Sequence, residues 1–125
     1  MFAMLFGSGF MIAQDTFSIV ALDSNTGEVG SAGASCVDLF QTPFSNDDFL
    51  GELFPGVGAI NSQAYYLGTN QNNAAARMNL GDTPGQIIEW LVANDVSNQP
   101  ELRQYGIVGF VDGLPQSAAH TGAST

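Results

Sequence analysis

The stretch TFSIVALDSNTGEVGSAGAS, residues 16–35, decides the fold: it reads as two β-strands joined by a tight turn. Thr16 to Leu22 is rich in β-branched and aromatic residues, which suit a pleated surface. Alternation puts Phe17, Ile19 and Ala21 on one face and Thr16, Ser18, Val20 and Leu22 on the other. Neither face is strongly polar, so the strand is expected to be covered on both sides. Asp23 to Gly27 has turn chemistry, because Asp and Asn bond to nearby backbone and Gly27 accepts a positive φ. Glu28 to Ser35 returns as the second strand. Its Gly30, Ala32, Gly33 and Ala34 are too small to fill a core alone. Another backbone or a ligand is therefore expected to approach closely there.

Ahead of this hairpin stands MFAMLFGSGFMIA, Met1 to Ala13. It is too short and too glycine-interrupted to span a bilayer. It fits the apolar core of a secretory signal cleaved near Ala13–Asp15, although no Lys or Arg precedes the run. The alternative is a buried N-terminal strand or helix, against which stands the abrupt change to strand pattern at Thr16. The expected division is a signal peptide over 1–14 and one domain over 15–125. Such a protein is exported to a periplasmic, cell-surface or extracellular location of bacterial type.

Beyond the hairpin, Asp38 to Pro55 reads as an acidic surface loop carrying Phe40, Phe44, Phe49 and Phe54, with a helical turn near Asn46–Leu53. Gly56 to Ala64 reads as a third strand. Asn72 to Leu80 is an alanine-rich helix with Gly81 at its C-terminal cap. Thr83, Pro84 and Gln86 form a capping-box signature for a second helix, with Ile87, Ile88, Leu91 and Val92 as its apolar stripe and Trp90 packing beside it. Gln104 to Asp112 is an apolar strand, Gly113 to Pro115 a turn, and Gln116 to Gly122 a partner strand. Grouped strands and helices point to an α+β layered domain rather than alternating βαβ units.

Charge limits the partners. The 125 residues hold 12 acidic side chains against two arginines, with no lysine, for a net charge of −10. That balance repels phosphate backbones and anionic membrane surfaces, so nucleic-acid binding is not expected; nor is stable membrane insertion, since the apolar run is too short to span. Lysine chemistry is excluded. Cys36 is the single cysteine, more simply a small buried residue than a catalytic thiol. His120 is the single histidine, so a multi-histidine zinc site is excluded. His120 is either a general base or, more simply, a strand-end histidine in a structural hydrogen bond. Asp23, Asn25 and Glu28 do not have EF-hand spacing, and Asp47, Asp48 and Glu52 read as a solvated surface. No phosphate-binding loop, dinucleotide fingerprint or nucleophile elbow is present, and no metal or cofactor is expected.

Thr16 carries the remaining chemistry. A free α-amine has a pKa of about 7.7–8.0, so an N-terminal threonine holds its own base beside its hydroxyl. The chemistry further needs backbone N–H donors for an oxyanion and small residues on the neighbouring strand to admit substrate. Glu28 to Ser35 offers such residues. The plain alternative is a threonine that merely opens a strand.

The same stretches resemble the family catalogued as domain of unknown function 1028. Its members begin T-F-S-I-V-A, turn through D-x-x-T-G-E-x-G and return through a small-residue strand ending A-S. GVGAINSQAY resembles the family's G-x-G-A-x-x-x-Q-A strand. LGDTPGQIIEWLVAND resembles its helical segment, and RQYGIVGFVDGLPQSAAHTG its R-Q-x-x-x-V-D and A-x-T-G strand pair. The resemblance runs from Thr16 to Thr125. The family is similar to the N-terminal-nucleophile (Ntn) hydrolases, which implies a four-layer αββα sandwich and amide-bond cleavage. Members continue through a glycine-rich segment and a Q-G-N motif, so this chain is expected to be an N-terminal fragment of the sandwich.

Three readings follow. One is an exported Ntn-type amidohydrolase acting on a small amide or peptide, with Thr16 as nucleophile and Ser18, Ser31, Ser35, Asn61 and His120 lining the cleft. The second is a non-catalytic module on the same fold that binds a small molecule or peptide. The third is a cell-surface interaction protein using the loop from Asp38 to Pro55. Substrate and oligomeric state stay open.

Overall fold

The computed structural model describes residues 16–35 and 50–125. The leader reading of Met1 to Ala13, Cys36, and residues 38–49 of the expected acidic loop lie outside the described residues. Strands β1 (Thr16–Leu22) and β2 (Val29–Ser35) form an antiparallel hairpin that pairs Thr16 with Ser35 at its open end. The turn closes as its residues dictate. Asp23 Oδ1 accepts from the backbone N–H of Asn25 at 2.7 Å, and Gly27 takes φ +74°.

The second sheet is antiparallel, in the order β3–β4–β5–β6. Its strands are β3 (Gly51–Phe54), β4 (Gly58–Ala64), β5 (Arg103–Val111) and β6 (Leu114–Thr121). Between β4 and β5 come α1 (Gly68–Asn79), α2 (Pro84–Ala93) and a 3₁₀ turn (Pro100–Leu102). The described chain is α+β, with two sheets and two helices.

Alternation along β4 and β5 assigns the layers. Ile60, Tyr105 and Ile107 face the helices and close a core with Ala74, Met78, Ile87 and Leu91. Asn61, Gln63, Gln104 and Gly106 face the other way, toward the hairpin. Asn61 and Gln63 bond to β1 across that gap, and Val20 lies beside Gly106. The result is a layer of helices, the four-stranded sheet, then the hairpin.

The second helix begins as its sequence requires: Thr83 Oγ1 accepts from Gln86 N, and Gln86 Oε1 accepts from Thr83 N. The first helix ends in a Schellman arrangement. Gly81 at φ +88° donates to Met78 O, and Asp82 N donates to Arg77 O.

Four expectations change. The helical turn near Asn46–Leu53 gives way, over its described part, to β3, where Gly51 sits against β4 and Phe54 packs on the core. The strand expected over Gly56 to Ala64 begins at Gly58, because Gly56 at φ +74° belongs to the preceding turn. The helix expected over Asn72 to Leu80 begins four residues earlier, since Asn70 and Gln71 find buried partners there. Finally, only one face of β1 is covered: Phe17 and Ile19 are 69% and 64% exposed.

Candidate functional site

The open end of the hairpin gathers most of the polar side chains singled out above. Thr16 starts β1 and Ser35 ends β2, and antiparallel register sets them side by side. Their hydroxyl oxygens are 2.9 Å apart. Both face the four-stranded sheet, where Ser18, two residues along, donates to Gln63 Oε1 at 2.6 Å. Gln63 in turn donates through Nε2 to the Thr16 carbonyl at 3.0 Å and to Gln104 Oε1 at 2.6 Å. Gln104 continues the chain to Thr121 Oγ1 at 3.2 Å. Thr16 is thus held through its hydroxyl by one strand and through its carbonyl by the opposite sheet.

Ser31 and Asn61 meet farther along the hairpin, where exposed Ser31 reaches the buried Asn61 of β4. Ser31 donates to Asn61 Oδ1 at 2.7 Å, and Asn61 Nδ2 donates to the Ile19 carbonyl at 3.3 Å. Gly51 makes room for this pair. A Cβ at that position would lie 2.5 Å from Asn61 Oδ1 and 2.8 Å from Ser31 Oγ. The close approach expected at the small-residue strand therefore involves a glycine of β3 as well as Gly33 on β2, whose Cβ would meet the Phe17 carbonyl at 3.2 Å.

His120 lies elsewhere. It shares a face of the second sheet with Tyr105, 6.2 Å between ring centroids, and its Nε2 is 3.0 Å from the Pro100 carbonyl. That is the helix-facing side, opposite Thr16. The structure joins Thr16, Ser18 and Ser35 in one network and Ser31 with Asn61 in a second, and leaves His120 outside both.

Gln63, Gln104 and Thr121 belong to the first network, and no sequence motif marks them as site residues. Polar residues at alternate positions of an apolar strand are their sequence signal, but only the strand pairing shows that they meet. A surface groove of about 500 Å³ lies at the other end of the hairpin, against Ala21, Leu22, Asp23, Glu28 and Gly30. It holds none of the Thr16 network. Among the described residues, no group of three His, Cys, Asp or Glu side chains could hold a metal ion, and no helix is long and apolar enough to cross a membrane.

A separate buried cluster sits on the helix side. Asp95 pairs with Arg103 Nε at 2.8 Å and accepts from Asn70 Nδ2 at 2.6 Å, and Arg103 also reaches Ser97 and the Tyr65 carbonyl at 2.8 Å. Burial pushes the Asp95 pKa upward, but Arg103, the Gln99 N–H, Asn70 and Ser97 outweigh it and hold the carboxyl well below its usual range. Burial raises the Tyr105 phenol above its usual 10.0. Every one of these groups is engaged within the fold, and the cluster ties α1 and the 3₁₀ turn to β5.

The family of unknown function (DUF1028) matches residues 16–125. No curated protein and no solved structure matches the chain.

Proposed function

This chain belongs to the family of unknown function DUF1028, and from that premise we propose that it is an exported amide-bond hydrolase with Thr16 as its N-terminal nucleophile. The supporting observation is the double hold on Thr16: its hydroxyl lies 2.9 Å from Ser35 Oγ and its carbonyl accepts from Gln63. A nucleophile fixed at both ends of its residue presents its oxygen in one orientation. The two facing sheets are compatible with an αββα sandwich of the Ntn kind.

The chemistry requires cleavage of the Asp15–Thr16 bond. The freed α-amine then takes the Thr16 hydroxyl proton as Oγ1 attacks the substrate carbonyl. The C–N bond breaks, the amine leaves with that proton, and an ester on Oγ1 remains. Water attacks the ester, its proton passes to the α-amine, and the acid product departs with Oγ1 reprotonated. In this reading the Ser35 hydroxyl, 2.9 Å from Thr16 Oγ1, donates to the developing oxyanion.

N-terminal sequencing and intact mass of the exported protein test the reading. The active form should begin at Thr16. Thr16→Ala should lower hydrolysis of an amide library on the order of 10³-fold or more while the circular dichroism spectrum is unchanged. A mature terminus at Gln14 or Asp15 in an active protein would overturn it. That outcome favours the second reading, a non-catalytic ligand-binding or cell-surface module, since with Asp15 attached Thr16 has no free amine.

A further inference from the structure

We infer that the Thr16 site selects uncharged or cationic amides and rejects substrates that carry a carboxylate or phosphate beside the scissile bond. This rests on the hydrolase reading above and concerns the chemical class its cleft accepts.

The inference starts from the cationic side chains of these 125 residues. The 125 residues contain two Lys or Arg side chains and one histidine, and all three are described. Arg103 is 4% exposed, locked to Asp95 and the Tyr65 carbonyl. Arg77 sits at the end of α1, 2.5 Å from Asp82 and 5.0 Å from the centre of the Trp90 ring. His120 is bonded to the Pro100 carbonyl. All three lie on the helix side of the four-stranded sheet, whereas Thr16 faces its opposite side. No side-chain cation of this chain is placed to meet a substrate anion.

Among the described residues, the groups bonded into the Thr16 network are neutral: Ser18, Ser35, Gln63, Gln104 and Thr121. Beyond them the net charge of −10 sets a field that repels anions and draws cations toward the molecule. The positive group that this chain brings to the site is the α-amine itself, and it is useful only when neutral. An anion bound beside it would stabilise its ammonium form and disable the base. A bound cation does the reverse and keeps it deprotonated. Recognition, long-range field and general-base chemistry therefore select in the same direction.

Matched probes test this: the N-acetyl p-nitroanilides of glutamine, glutamate and lysine, given to full-length protein matured to Thr16. The glutamate probe should fall about tenfold or more below its neutral glutamine isostere in kcat/KM. The lysine probe should equal or exceed glutamine at low ionic strength, with its advantage shrinking as salt rises. The acidic limb of its pH–kcat profile should also sit at lower pH than that of glutamine. A glutamate probe turned over as well as glutamine would overturn the inference and leave the hydrolase reading standing. If no probe is turned over by protein shown to begin at Thr16, the hydrolase reading fails, and calorimetric binding to Thr16→Ala protein decides selectivity separately. Glutamate bound as tightly as glutamine, or no binding by any probe, overturns the inference.

Discussion

At the scale of single residues, Asp95 shows how a polar residue is kept inside. It is 9% exposed, and its two oxygens take bonds from Arg103, Asn70, Ser97 and the Gln99 N–H. Asp95→Asn leaves the buried Arg103 guanidinium without its counter-charge, and such a break costs about 3–5 kcal/mol. Against a typical domain stability of about 5–15 kcal/mol this is a large share, readable by urea denaturation at pH 7. The pH dependence has a definite sign. The folded pKa lies below the ordinary 3.8, so the contribution is whole above the carboxylate range and is lost as pH falls through and below it. Asp95→Asn should therefore flatten the acid limb of the stability curve; an unchanged limb would refute the role. Nothing local in the sequence pairs Asp95 with Arg103, because the bond closes only when the 3₁₀ turn sets β5 beside the end of α2. Thr16 and Ser35 are different. Their proximity follows directly from hairpin register, which local turn chemistry fixes.

At the scale of elements, what is local is legible and what is long-range is not. The capping box of α2 and the Gly81 stop of α1 involve residues within five positions, and the sequence shows both. The first turn of α1 is hidden, because Gly68, Thr69 and Asn70 are weak helix formers by themselves. Asn70 is held by Asp95 and Tyr105, 25 and 35 residues away, and Gln71 by Ser62. The strand β3 is hidden for the same reason: Gly51 favours neither strand nor helix until Asn61 and Ser31 stand over it. Gly51→Ala places a methyl group against both, and Asn61, 2% exposed, has little room to yield. The expected result is a loss of about 1–3 kcal/mol with the Ser31–Asn61 bond broken. Hydrogen exchange should then quicken at β1 and β2 while α2 stays protected. Equal quickening throughout would mean that the Gly51 contact does not tie the hairpin specifically.

At the scale of the whole molecule, charge and the uncovered hairpin face oppose each other. Phe17, Ile19 and Ala21 face away from the second sheet together with their β2 partners Ala34, Ala32 and Gly30. With Phe17 and Ile19 at 69% and 64% exposed, this is a continuous apolar strip. Two copies brought face to face would remove it from water, but each carries a net charge of −10. At low ionic strength that repulsion reaches tens of ångströms, whereas at 1 M salt the screening length is about 3 Å. Salt therefore removes the repulsion and leaves the hydrophobic attraction in place. Light scattering should show the protein monodisperse at about 10 mM salt and associating at about 1 M. The double variant Phe17→Thr/Ile19→Thr keeps β propensity while making the strip polar, and should stay monodisperse at both. Association in the variant equal to that of the unaltered protein would place the contact elsewhere. Because the strip faces away from Thr16, the variant should retain the hydrolysis proposed for that residue, which separates the surface that associates from the face that carries the chemistry.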